Sequence, residues 1–175
     1  YGFAMVEGGR LTFKLPEASL EEDRSDAAIF GWVDHIIVRN VEIDSFPGYG
    51  IRFEVEPESL YSKFDPDGRK QGDSNYHRVE SCWVHDNPGH GIWARAGALC
   101  VERCVVERNR MHGMHLRGHG VCAAGNRIAW NGNASTDTTS YCQVWLRGTD
   151  GGDVDVQVLA NVIEDAPDGT RALVR

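Results

Sequence analysis

Apolar and polar residues alternate in short runs along this chain, and the runs recur at a fixed spacing. Val79–Cys100 (VESCWVHDNPGHGIWARAGALC) aligns without a gap on Val101–Cys122 (VERCVVERNRMHGMHLRGHGVC), an offset of 22 residues. An earlier copy begins at Val38 and runs into Phe46-Pro47-Gly48-Tyr49-Gly50-Ile51, which matches Asn87-Pro88-Gly89-His90-Gly91-Ile92. Later copies begin at Ala123 and near Val156. Four columns emerge. The first is Val38, Val79, Val101, Ala123 and Val158. The second is Val41, Cys82, Cys104, Asn126 and Asn161. The third is Ile43, Val84, Val106, Ile128 and Ile163, and the fourth is Ile51, Ile92, Met114 and Val144.

Within each run the apolar spacing is two, which is strand periodicity. Such short strands cannot form an isolated sheet, and their apolar face is buried only when the next repeat stacks on it at about 4.8 Å. The pattern predicts an all-β chain folded as a right-handed parallel β-helix, a solenoid of about five to six turns with repeats of about 22 residues. The L-x-x-L-x-L signature of leucine-rich repeats is absent, and a sandwich or barrel would not keep one residue type per slot. The expected organisation is a single domain over residues 1–175. Residues 1–27 form a cap or incomplete first turn, and insertions fall at 56–75 and 132–141.

Composition narrows the partners. A net charge of −8 argues against broad nucleic-acid binding, which requires a basic face, yet a local arginine cluster can still grip an anion. No apolar run approaches the roughly 20 residues that span a bilayer. Five cysteines leave at least one thiol unpaired, and no C-x-x-C pair is present. Cys82 and Cys104 are 22 apart, as are Cys100 and Cys122, so these four are expected to form two stacks of small buried side chains. The N-terminus, Tyr1-Gly2-Phe3-Ala4-Met5, reads as neither a signal peptide nor a natural start, so a mature product or a fragment is expected.

The unit V-x-x-N/C-x-I-x-x-N-x-x-x-G-I over about residues 28–172 resembles the repeat of the pectate-lyase-like superfamily, which includes polysaccharide lyases, mannuronan C5-epimerases and phage depolymerases. The resemblance implies that Asn126 and Asn161 stack in a turn between two strands. It also implies that substrate lies along the outer face of the strands that follow each glycine. Those strands are Ile51–Val55, Ile92–Ala96, Met114–Gly118 and Val144–Gly148. It implies a secreted or extracellular protein of bacterial or phage-like source.

On those strands, alternation turns Ile51, Phe53, Ile92, Ala94, Met114, Leu116, Val144 and Leu146 inward. One outward column is Arg52, Trp93, His115 and Trp145, and another is Glu54, Arg95, Arg117 and Arg147. Tyr49, His90 and His112 lie just before the glycines. Stacked arginines repel unless an anion or nearby acids neutralise them, and indole beside guanidinium suits a sugar carrying carboxylate or sulfate. The expected ligand is therefore an acidic polysaccharide. Trp93, Arg95, Trp145, Arg147, Arg52 and Glu54 are its candidate binding residues.

The candidate reaction is β-elimination or epimerisation of a uronate. Arg95, Arg117 or Arg147 would neutralise the carboxylate, one of His90, His112 and His115 would be the base, and Tyr49 the acid. Hydrolysis ranks lower because Glu54 has no carboxyl neighbour in its column. The alternative is a non-catalytic carbohydrate-binding, adhesive or fibre module. No cofactor is expected; Asp150, Asp153 and Asp155 form a weak Ca²⁺ pattern without the EF-hand spacing. The open solenoid ends are expected to permit self-association.

Overall fold

The structure is a computed structural model that describes residues 4–12, 27–31, 34–54, 74–133, 141–147 and 155–164. Its described strands are, in chain order, β1 (Ala4–Thr12), β2 (Ala27–Gly31), β3 (Ile36–Asp44), β4 (Tyr49–Phe53), β5 (Ser74–Asn75), β6 (Arg78–Glu80), β7 (Trp83–His85), β8 (Ile92–Gly97), β9 (Cys100–Glu102), β10 (Val105–Glu107), β11 (Met114–Arg117), β12 (Val121–Ala124), β13 (Arg127–Ala129), β14 (Val144–Arg147), β15 (Val156–Leu159) and β16 (Val162–Glu164). No helix occurs among the described residues.

Every pairing is parallel, in two sheets. A ten-stranded sheet runs β15-β12-β9-β6-β3-β7-β10-β13-β16 with β1 on β3, and a six-stranded sheet runs β14-β11-β8-β4-β2 with β5 on β8. Strand β3 joins two rows of the larger sheet. Its residues Ile37–Arg39 pair with β6 and its residues Glu42–Asp44 pair with β7. Sequence-distant strands stack in order, which makes the fold solenoid-like.

The register reproduces the columns. Val38, Val79, Val101, Ala123 and Val158 are successive partners, as are Ile43, Val84, Val106, Ile128 and Ile163. Ile51, Ile92, Met114 and Val144 form the third such row. Most of these side chains are buried in one core, each contributing about 1.5–3 kcal/mol by leaving water.

The corners follow one rule. Thirteen residues with positive φ fall into three columns: His35, Tyr76, Ala98 and Gly120; Asn40, Ser81, Arg103, Gly125 and Ala160; Ser45, Asp86, Arg108 and Trp130. Each column sits between the same pair of strand rows. A single left-handed residue turns the chain sharply enough to start the next strand, at a cost of about 1–2 kcal/mol for a residue with a Cβ. Side-chain amides bridge the layers beside two of these corners. Asn126 accepts from the Cys104 N–H, and Asn161 from the Asn126 N–H, both at 2.8 Å. This is the stacked turn position implied for Asn126 and Asn161.

The cysteines divide differently from the sequence expectation. Cys82 and Cys104 are buried, but Cys100 and Cys122 are half-buried, on the opposite side of their strands from inward Val101 and Ala123. The strand alternation that buries Val101 necessarily turns its neighbour Cys100 outward.

Insertion residues 56–73 and 134–140 lie outside the described residues, as do Asp150 and Asp153. Ser74–Asn75 pairs with Ala96–Gly97 of β8. Of the N-terminal segment assigned as a cap, β1 is hydrogen-bonded along the whole of β3. Asp155 is exposed, and its carbonyl accepts from the Val121 N–H at 2.9 Å.

Candidate functional site

The outer face of the six-stranded sheet begins at a line of glycines. A Cβ on Gly50 would lie 2.7 Å from the Gly91 carbonyl oxygen, and one on Gly91 or Gly113 would lie 2.6 Å from the next. Close backbone approach therefore requires glycine here. The residues just before these glycines, Tyr49, His90 and His112, are drawn into register. Their rings stack at 5.2 Å and 9° for Tyr49–His90, and at 5.0 Å and 6° for His90–His112.

A hydrogen-bond ladder fixes those imidazoles. The His112 N–H donates to His90 Nδ1 at 3.1 Å, and the Cys142 N–H donates to His112 Nδ1 at 2.9 Å. Cys142 thus occupies the next slot of the histidine column, with Sγ 3.2 Å from His112 Nδ1. Alongside runs an amide ladder in which the Nδ2 of Asn87 donates to Asn109 Oδ1 (2.8 Å), that of Asn109 to Asn131 Oδ1 (2.9 Å), and that of Asn131 to Gln143 Oε1 (2.9 Å). Sequence alignment paired Asn87 with Asn109 but assigned neither a role.

An Nδ1 that accepts must leave the proton of a neutral ring on Nε2. His90 and His112 are 7% and 2% exposed. Burial drives His90 down to about 2, with the charges of His112 and His115 acting the same way. Burial and His115 drive His112 down to about 4. Both rings are neutral Nε2–H donors at ordinary pH. Neither offers the lone pair that the base of the expected reaction requires. The same hydrogen bonds argue against a metal among His90, His112 and His115, whose ligand atoms lie within 4.8 Å of one another. A metal-bound histidine donates from its second nitrogen, whereas these accept.

The outward columns are in register. Arg52, Trp93, His115 and Trp145 are successive partners, and so are Arg95, Arg117 and Arg147. His115 and Trp145 stack at 4.8 Å and 6°, and Trp93 meets His115 edge-on at 5.9 Å. Arg52 lies 5.5 Å from the Trp93 ring centre and 5.3 Å from that of Tyr49. It also forms an ion pair with Glu54, Nε to Oε2 at 3.0 Å, so these two neutralise each other at one end of the face. Trp93, His115, Arg117 and Trp145 are half-buried and Arg95 is exposed. The side chain of Arg147 lies outside the described residues.

Tyr141, which the sequence reading gave no role, sets its ring edge-on to His112 at 5.2 Å and to His90 at 6.2 Å. Its signal was position alone, one residue ahead of the column slot taken by Cys142. A separate cavity of about 550 Å³ is lined by His35, Ile37, Tyr76, His77, Arg78, Ala98 and Cys100. None of these belongs to the aromatic and arginine face. The chain matches no protein-family model, no curated protein and no solved structure.

Proposed function

We propose that the outer face of the six-stranded sheet binds an acidic polysaccharide. The observation that carries this is the in-register row Arg95–Arg117–Arg147 beside the row Trp93–His115–Trp145. Arginine side chains can grip a carboxylate or sulfate through paired N–H donors, and indoles beside them can pack on sugar rings. The fold beneath is read as a right-handed parallel β-helix of five to six turns. Support comes from partner offsets of 22 residues at Trp83–Val105–Arg127, Cys100–Cys122 and Trp93–His115, and from three corner columns. A polysaccharide ligand of this kind suits a secreted or extracellular protein.

A second reading, uronate elimination or epimerisation on the bound chain, is favoured by the position of His115 between Trp93 and Trp145, next to Arg117. In it Arg117 neutralises the uronate carboxylate, His115 takes the C5 proton, and a phenol, Tyr49 or Tyr141, returns one. His90 and His112 act as buried donors beneath the site.

Calorimetric titration with polygalacturonate, alginate and a neutral glucan tests the proposal. Arg117→Ala should weaken binding of the acidic polymer about 10-fold or more, since a charge-assisted hydrogen bond contributes about 1.5–3 kcal/mol. Arg39→Ala, on the other sheet, should leave binding unchanged. Affinity should fall as salt rises. Wild-type protein that binds no acidic polymer would refute the proposal. Ultraviolet absorbance of an unsaturated product, lost in His115→Ala, distinguishes elimination from binding alone.

A further inference from the structure

On the second row of the larger sheet, away from the proposed sugar face, a second histidine is built in the opposite sense from His90 and His112. His85 ends β7, directly beside Asp44 of β3, and Glu42 lies two residues back on the same outward side of β3. Inward Ile43 between them is fully buried, which fixes that alternation. Asp44 and His85 are each only 5% exposed. The ligand atoms of Glu42, Asp44 and His85 all lie within 4.8 Å of one another.

The orientation of His85 is set by a chain of contacts. Asp86 is a corner residue with φ 55°, and that conformation folds its carboxylate back on its predecessor, placing Oδ2 2.6 Å from His85 Nδ1. Arg108, one layer on in the same corner column, clamps Asp86 with Nε to Oδ1 and Nη2 to Oδ2, both 2.9 Å. Trp83 covers the ring at 4.1 Å. With Nδ1–H donating to Asp86, the Nε2 atom is turned toward the other carboxylates and lies 3.3 Å from Glu42 Oε1.

This is the arrangement that a metal-binding imidazole needs, a carboxylate holding one nitrogen so that the other presents its lone pair. We propose that Glu42, Asp44 and His85 form a binding site for a divalent transition cation of the zinc class, with Asp86 and Arg108 as positioning residues. Bonds of about 2.0–2.1 Å in a tetrahedron space ligand atoms about 3.4 Å apart. The 3.3 Å separation of His85 Nε2 and Glu42 Oε1 already meets that value. Three protein ligands leave one position for water, and Glu42, with 25% of its side chain exposed, faces solvent.

The test uses the full chain carrying Cys100→Ser and Cys122→Ser, because those two thiols and Glu102 are a competing cluster. Titration with Co²⁺ is followed by visible absorption, with folding of each variant checked by circular dichroism. The expected result is one equivalent bound with ligand-field bands and no thiolate charge-transfer band. Binding should be abolished by His85→Ala and Asp44→Asn, and weakened about 10- to 100-fold by Asp86→Asn. Glu42→Gln, on the part-exposed ligand, should weaken it at least 10-fold, and it decides the matter if the buried variants fail to fold. His115→Ala should leave binding unchanged. Absence of binding, binding that survives Glu42→Gln, or loss in His115→Ala would overturn the proposal.

Discussion

The Nδ1 atoms of His90 and His112 each accept a backbone N–H from the following layer, and that single bond decides what the rings can do. A ring so held is a donor at Nε2 and no base. Nitrogen-15 NMR of the imidazoles should show the Nε2–H tautomer for both at neutral pH, with Nδ1 resonating as an unprotonated nitrogen. An Nδ1–H tautomer, or an imidazolium for either ring at pH 6, would contradict the assignment. Their place beside Tyr49 was legible, because the same slot recurs in the sequence. Their tautomer was not legible, since spacing does not report which ring nitrogen meets which backbone group. His85 makes the same point from the other side. Its partners Asp44 and Asp86 are visible only once β3 and β7 are paired and the corner at Asp86 is turned.

At the scale of the strand and corner, side-chain alternation made the inward columns readable directly, and observed pairing follows them. Expected strand bounds differ little from the structure; Ile51–Val55, for instance, is replaced by Tyr49–Phe53. The corners were illegible. Tyr76, Ser81, Arg103, Arg108 and Trp130 are not residue types that favour positive φ, and closure of each layer imposes the conformation on them. Glycines therefore play two distinct parts. Gly125 is at a corner with φ 65°, and among the described residues a Cβ there meets only the Arg103 side chain, at 3.8 Å. Gly113 carries no positive φ, but its Cβ would lie 2.6 Å from both Asn131 Nδ2 and the Gln143 carbonyl. Gly125→Ala should destabilise by about 1 kcal/mol, the conformational cost reduced by a less flexible unfolded chain. Gly113→Ala should cost more than about 2 kcal/mol, because backbone and a ladder amide must move. Urea unfolding of the two variants checks the order, and equal losses would refute the distinction.

For the molecule as a whole, an acidic sequence with net charge −8 carries a core histidine column that must stay neutral to fold. The overall charge was legible from composition, whereas the neutral column depends on burial and on rings facing one another across layers. His90 is faced by Tyr49, His112, His115 and Tyr141, and His112 by His90, His115, Tyr141, Trp145 and Cys142. No carboxylate is among these partners to favour the charged form. In the unfolded chain both histidines protonate near 6.5, while in the fold they hold off until about 2 and about 4. Below pH 6.5 the unfolded state therefore binds more protons, and stability falls as pH falls, by up to about 1.4 kcal/mol per pH unit for each histidine. The carboxylates Asp86 and Glu107 act lower on the scale. Burial raises each, but arginine hydrogen bonds dominate and leave both depressed, so their contribution is lost only as pH drops below the ordinary carboxylate range. The urea midpoint should thus decline between pH 6.5 and pH 5, above the unfolded carboxylate values near which Asp86 and Glu107 begin to contribute. In His112→Asn the side-chain oxygen can still accept the Cys142 N–H, but nothing titrates there. That variant should show a shallower decline over the same interval, and a wild-type midpoint that stays level from pH 7 to pH 5 would show that the column does not govern acid stability.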